Sequence, residues 1–118
     1  MLNITLSFPA LFGTEVTILL NYYDWTDFND KKIRLGTCYR VLCLNPQTGI
    51  DMLSVNVKDK APVISREALY RHNAEMSFVL VRFEDFTARP YKNKVGKDAI
   101  SARAAAIEVV SDINGEKV

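Results

Sequence analysis

The sequence predicts a mainly β protein, a five-stranded antiparallel Greek-key barrel with a short helix between its third and fourth strands. Three observations predict it. β-branched and aromatic residues concentrate in a few long stretches, Gly and Pro stand between the stretches, and a capped helical segment falls between the third and the fourth. The chain has 118 residues, 48% hydrophobic and 25% charged, which suits one globular domain with its own core.

The first half of the chain predicts three long strands after a short N-terminal strand, Leu2–Ser7. The first, Thr14–Tyr23, is rich in β-branched and aromatic residues. The second, Ile33–Leu44, is expected to bend at Gly36. The third, Asp51–Lys58, alternates cleanly between apolar and polar residues, as a half-buried strand does.

The helix and the fourth strand follow. Ser65 is a good N-cap and Glu67 places an acid in the first turn, so we predict a helix over Arg66–Ala74. Met76–Phe86 contains the strongest strand pattern in the chain.

The sequence pattern in the last part of the chain allows two predictions of its secondary structure. We predict a basic loop over Arg89–Lys97 and favour a fifth strand over Ala99–Val110, although five alanines and Asp98 as a cap also allow a helix. The domain is expected to cover residues 1–110, with a flexible tail over 111–118. Five strands with a helix after the third is the order of the OB-fold, whose face and loops bind oligonucleotides or oligosaccharides. An SH3-like barrel or a small sandwich is the alternative.

The charge of the chain is concentrated in two basic blocks, although its net charge is only +1. Residues 31–43 carry four basic residues and no acid, and residues 87–103 carry five basic residues and one acid. Residues 1–30 carry acids only. A basic stripe on a nearly neutral protein can bind a polyanion, whereas two solvated hairpins would also explain these blocks.

Catalysis has little support in the sequence. His72 is the only histidine, and no phosphate-binding, dinucleotide-binding or serine-nucleophile motif occurs. Asp24, Asp27 and Asp30 are spaced by three, but the later glycine and glutamate of a calcium loop are missing. We therefore expect a non-enzymatic protein without metal or cofactor. Two cysteines and the lack of an export signal or a long apolar run predict a cytoplasmic location and no membrane partner.

Aromatic residues lie next to both basic blocks in the sequence, and the binding of single-stranded nucleic acid requires this combination. Flat rings stack on unpaired bases, and cations neutralise phosphates. We expect Trp25, Tyr39 and Tyr91 to stack bases, while Tyr22, Phe78 and Phe83 belong to the core. The residues expected to meet phosphates are Lys31, Lys32, Arg34, Arg40, Arg89, Lys92 and Lys97. They would line a groove floored by the second and third strands and walled by the 24–32 and 87–98 loops.

The second basic block also carries a resemblance. The stretch from Val81 to Phe86, then Arg89-Pro90-Tyr91-Lys92, Gly96-Lys97, Ser101-Ala102 and the run 104–107, resembles the last hairpin of small OB-fold single-stranded DNA-binding proteins of phages, plasmids and conjugative elements. The resemblance implies that Tyr91, Lys92, Lys94 and Lys97 are loop contacts and that Arg82 and Arg103 face the groove. The long acidic, glycine-rich tail of bacterial replication proteins of this kind is missing.

The sequence thus predicts a sequence-tolerant single-stranded DNA-binding protein, acting in replication, recombination or transfer of a phage or mobile element. Nothing in it distinguishes DNA from RNA. A single small domain binds weakly, so a homodimer or an array along the strand is expected. The alternatives are a structural or protein-interaction barrel of a phage or mobile element, and a small enzyme or carbohydrate binder that uses the same face.

Overall fold

The computed structural model describes residues 16–45 and 49–118. The predicted strand Leu2–Ser7 lies outside them. The described residues form one helix, α1 (Arg66–Ala74), and seven strands. The strands are β1 (Val16–Thr26), β2 (Arg34–Asn45), β3 (Gly49–Val57), β4 (Val79–Glu84), β5 (Thr87–Lys92), β6 (Asp98–Ala104) and β7 (Ala106–Asp112).

The strands form one mixed sheet in the order β5-β6-β3-β2-β1-β4-β7. The β3–β6 ladder is parallel, and all the remaining ladders are antiparallel. A mainly β fold is therefore present, but the prediction of five strands in a wholly antiparallel sheet is wrong. No helix in the described ranges has the length and apolar character needed to cross a membrane.

One row of paired residues shows how the core is built. From β1 through β2, β3 and β6 to β5, the row runs Tyr22, Tyr39, Val55, Ala102, Ala88. All five side chains are buried. Because successive residues of a strand point to opposite faces, the sequence neighbours of this row lie on the other side of the sheet. We call the side of the row the inner face and the opposite side of these five strands the outer face.

Helix α1 has the predicted bounds and covers part of the inner face. The Ser65 hydroxyl accepts a hydrogen bond from the Ala68 N–H at 3.2 Å, which caps the first turn. Leu69 is buried against the core. The Arg66 guanidinium lies 4.7 Å from the centre of the Tyr22 ring and donates to the Tyr22 carbonyl. These contacts fix the helix against β1.

Close approach of β3 explains the glycine in β2. A Cβ atom at Gly36 would lie only 2.0 Å from the Val57 carbonyl oxygen, so no larger residue fits without moving the backbone. The register of the β1–β2 ladder shifts beside it, between Trp25 and Thr26. The shift changes the course of the hairpin just before its loop.

The fifth predicted strand is divided into β6 and β7, and the fourth predicted strand contains β4 and is followed almost at once by β5, a strand that was not predicted. Only Asp85 and Phe86 separate β4 from β5, and only Ala105 separates β6 from β7. Asp85 has a φ of 51°, a left-handed conformation that interrupts an extended strand. The Ala105 N–H donates to the Glu84 carbonyl at 2.8 Å, so the two arms stay joined across the break.

The end of the chain also differs from the sequence prediction in its bounds. Arg89 to Lys92 belong to β5, so the predicted basic loop is shorter than expected and covers residues 93–97. The segment 99–110 is extended and not helical. β7 continues to Asp112, two residues past the predicted domain boundary. The carboxylate of Asp112 then accepts hydrogen bonds from the N–H groups of Asn114 and Glu116.

Candidate functional site

Two further rows of paired residues lie on the outer face and bring both basic blocks together. The first row runs Tyr23, Cys38, Asn56, Arg103, Thr87 from β1 to β5. The second row runs Asn21, Arg40, Ser54, Ser101, Arg89. Its step from Ser54 to Ser101 crosses the parallel ladder, in which the next residues, Val55 and Ala102, are paired. Arg40 from the first block therefore shares one sheet face with Arg89 and Arg103 from the second.

These three arginines have no acidic partner. None of Arg40, Arg89 and Arg103 forms a salt bridge with an acid whose side chain the structure describes. In addition, the Nε atom of Arg40 is buried and finds no hydrogen-bond acceptor among the described residues. The outer face thus carries positive charge that the acids with described side chains do not neutralise by salt bridges.

A cleft of about 420 Å³ opens on the β5–β6 part of the outer face. Its lining consists of Thr87, Arg89, Tyr91, Ser101 and Arg103. Two guanidinium groups, two hydroxyls and a ring that is 46% exposed therefore surround one space. This set of groups suits an anionic ligand that also has a flat, apolar part.

The tips of two hairpins also meet. Phe28 lies in the β1–β2 loop and is 87% exposed, and Lys94 lies in the β5–β6 loop. The Lys94 Nζ atom stands 5.8 Å from the centre of the Phe28 ring, within the range of a cation–π contact. The loop that carries Lys31 and Lys32 therefore contacts the loop that carries Lys94 and Lys97, through Phe28 and Lys94.

Side-chain hydrogen bonds shape both loops. In the β1–β2 loop the Asp27 carboxylate accepts from the Asn29 N–H at 2.8 Å, and the Asp30 carboxylate accepts from the Lys32 N–H at 3.0 Å. In the β5–β6 loop the Asn93 side chain accepts from two backbone N–H groups, and Gly96 takes a φ of 79°. Asp27 and Asp30 thus serve the turn, and the lysines point away from the folded backbone as exposed residues.

Tyr39 is not available to a base, contrary to the prediction. Its ring is fully buried in the inner row, and its hydroxyl donates to the Asp59 carboxylate at 2.7 Å and accepts from the Val63 N–H at 3.0 Å. Burial, followed by the hydrogen bond to Asp59, raises the pKa of Tyr39 far above its ordinary value. Tyr39 therefore ties the segment after β3 to the core.

Arg34 is also committed to the protein. Its guanidinium forms salt bridges with Asp24 at 3.1 Å and Asp59 at 3.0 Å, and it donates to the Thr37 hydroxyl. Two carboxylates neutralise the charge that the prediction assigned to phosphate. Arg34 is therefore a structural residue that holds the base of the β1–β2 hairpin.

Arg82 lies away from the other predicted cations, on β4, in the part of the last hairpin where β4 pairs with β7. Its Nε atom donates to the Glu108 carboxylate at 2.6 Å, and its terminal nitrogen contacts the same oxygen. A second cleft of about 440 Å³ opens here and includes Glu84 among its lining residues. Two acids beside a paired arginine do not suit a polyanion, so Arg82 does not belong with the outer face.

The aromatic residues are placed only partly as predicted. Tyr22 belongs to the core, and Phe78 and Phe83 are half-buried. Trp25 lies in β1 and not in a loop, and it is half-buried two residues beyond Tyr23. The prediction missed Tyr23, which is 49% exposed on the outer face. The alternation of side chains along a strand predicts that one of these two tyrosines is exposed, because Tyr22 and Tyr23 are consecutive and only one of them can enter the core.

No cluster of three or more His, Cys, Asp or Glu side chains suited to a metal ion occurs within the described residues. Cys38 is a free, buried thiol. Comparison of the chain with protein-family models, curated protein sequences and solved structures gives no match. The geometry of the outer face is therefore the feature of the molecule that indicates a function.

Proposed function

We propose that this protein binds single-stranded DNA on the outer face of its sheet, without strong sequence preference and without catalysis. The observation that carries the proposal is that Arg40, Arg89 and Arg103 lie on one sheet face together with the exposed rings of Tyr23 and Tyr91, and that none of the three forms a salt bridge with a described acid. Cations and flat rings on one continuous surface are the two requirements of a single-strand binder.

The pairing of the strands supports an OB-fold as the scaffold. If the interruptions at residues 85–86 and at Ala105 are treated as bends, β4 with β5 form one strand and β6 with β7 form another. The pairing then runs from β1 to β2, to β3, to the β6–β7 strand, to the β4–β5 strand and back to β1. A ring of five strands with the helix after the third is the plan of a small, partly open barrel whose 1–2 and 4–5 loops bind oligonucleotides.

The rings favour a single strand over a duplex. A base can stack on Tyr23 or Tyr91 only when it is not already stacked and paired inside a helix, and such stacking contributes about 1–3 kcal/mol per base. Hydrogen bonds that read base edges are not required for this contact. The expected binding is therefore tolerant of sequence.

The cations supply the rest of the affinity. Besides the three arginines, the exposed lysines of the two joined loops and of the end of β5 are available to phosphates, namely Lys31, Lys32, Lys94 and Lys97 in the loops and Lys92 in β5. We expect about four to five phosphates to be neutralised, so that the logarithm of the affinity falls with the logarithm of the salt concentration with a slope near −3. The setting we propose, from the resemblance of the last hairpin, is replication, recombination or transfer of a phage or mobile element.

Fluorescence anisotropy with labelled oligomers tests the proposal. The chain should bind oligo-dT more tightly than a duplex of the same length, and binding should weaken as salt is raised. Oligo-rU, measured alongside, shows whether the site prefers DNA to RNA. Equal or tighter binding of the duplex would reject the stacking mechanism. Failure to bind any oligomer at low salt would favour the alternative, a protein-interaction module.

A further inference from the structure

Tyr23 occupies the β1 end of the first outer row, where its ring is about half exposed. Its neighbour Tyr22 enters the core, so the backbone on both sides of the Tyr23 ring is anchored. Exposure of an aromatic ring to water is unfavourable in free energy. The paired backbone of a strand also restricts the position of the ring more than a loop would. Tyr23 is thus a rigid, accessible flat surface.

Two neighbouring strands contribute groups that act on the Tyr23 hydroxyl. A hydrogen bond with the Cys38 side chain of β2, together with burial, raises the pKa of Tyr23, while a hydrogen bond with Ser54 of β3 and the charge of Arg40 act in the opposite direction. Cys38 is the ladder partner of Tyr23 and is itself buried. The Tyr23 ring therefore lies on the outer face opposite Cys38, with about half of its surface exposed.

Arg40 lies beside this ring with incomplete hydrogen bonding. Its ladder partners are Asn21 on β1 and Ser54 on β3, and Ser54 is also the residue that contacts Tyr23. The Arg40 Nε atom is buried and has no acceptor in the described part of the chain. No acid with a described side chain neutralises the charge of Arg40, so an anionic oxygen that reaches the guanidinium would be stabilised there.

We propose that Tyr23 and Arg40 form a nucleotide subsite, in which an unpaired base stacks on the Tyr23 ring and a phosphate oxygen accepts hydrogen bonds from Arg40. This inference rests on the proposed function and places one nucleotide at the β1 end of the outer face, at the opposite end of that face from the β5–β6 cleft. Four strand spacings separate β1 from β5, about 19 Å along the sheet, so a bound strand would cross β2, β3 and β6.

Photocross-linking of the wild-type chain tests the stacking contact directly. An oligo-dT carrying 5-iodouracil at one position reacts with an aromatic ring that stacks on it, and mass spectrometry identifies the modified peptide. We expect a cross-link at Tyr23. Binding of the oligomer with cross-links only at other rings, such as Phe28 or Tyr70, would overturn the subsite and leave the proposed function standing.

Substitutions supply an independent measurement. Tyr23→Ala should weaken oligo-dT binding by about tenfold to a hundredfold, and Tyr23→Phe, which keeps the ring, should weaken it much less. Tyr70→Ala is the matched control, because Tyr70 is an exposed tyrosine on α1. Arg40→Gln should make the salt slope shallower by about 0.7. Unchanged binding by the Tyr23→Ala variant, with a wild-type thermal unfolding curve, would contradict the inference, whereas no binding by the wild-type chain would contradict the proposed function itself.

Discussion

Replacing Arg89 and Arg103 together by glutamine should reduce the salt dependence of DNA binding. The two side chains line the same cleft and have no salt-bridge partner among the described acids. Glutamine keeps much of the side-chain volume and removes the charge. If each arginine meets one phosphate, the variant loses two contacts of about 0.7 in slope each, and the slope changes from near −3 to near −1.6.

This difference is large enough to measure by anisotropy titration with labelled oligo-dT. Over a fourfold increase in salt, the wild-type affinity should fall about 60-fold and that of the double variant about tenfold. Arg82→Gln is the matched control, since Arg82 lies on the same hairpin but is paired with Glu108. It should leave the slope unchanged.

The reasoning would be refuted by either of two results. An unchanged slope in the double variant would mean that the cleft does not meet phosphates. An equal change in the Arg82→Gln variant would mean that the slope reports the overall charge of the chain and not the outer face. Thermal unfolding of both variants and of the wild-type chain shows whether the variants remain folded.

Three other predictions concern the scaffold. Tyr39→Phe leaves the buried Asp59 oxygen without its donor, so urea unfolding should show a loss of about 1–3 kcal/mol, with the salt slope of DNA binding unchanged. Because the folded state raises the pKa of Tyr39 above its ordinary value of 10.0, the contribution of Tyr39 to stability is fully present below pH 10.0. This contribution is lost as the pH rises above 10.0, so the free energy of unfolding should fall there. The fall should be less steep in the Tyr39→Phe variant. Gly36→Ala places a Cβ against the Val57 carbonyl and should lower the free energy of unfolding by about 1–3 kcal/mol or more; a wild-type thermal midpoint would show that β3 can move aside.

Local features of the sequence determine much of the secondary structure. The bounds of α1 follow from Ser65, whose side chain can cap only the turn that begins next to it. The alternation in β3 likewise identifies Leu53, Val55 and Val57 as core residues, because a strand with one apolar side buries that side. Both features depend on residues within a few positions of one another.

The orientation of neighbouring aromatic residues is less evident. Tyr39 and Arg40 are consecutive on β2, so they cannot both face one groove, and the charge of Arg40 already favours burial of Tyr39. On β1, by contrast, Tyr22 and Tyr23 have the same side chain. The prediction that Tyr22 belongs to the core is confirmed, and the pairing of Tyr22 with the buried Tyr39 leaves Tyr23 on the outer face, which was not predicted as a site residue.

The sequence by itself determined that the chain is mainly β, where its helix lies and where its basic residues concentrate, since these properties come from composition and from short-range spacing. Only the tertiary structure decided which cations are free. Arg34 and Arg82 have the same chemistry as Arg89 and Arg103, but strand pairing and the fold of the loop after β3 bring acids from distant positions to the first two. Neither of the others forms a salt bridge with an acid whose side chain the structure describes. Whether a charge is neutralised depends on its neighbours in space, and those neighbours are set by the long-range ladders of the sheet.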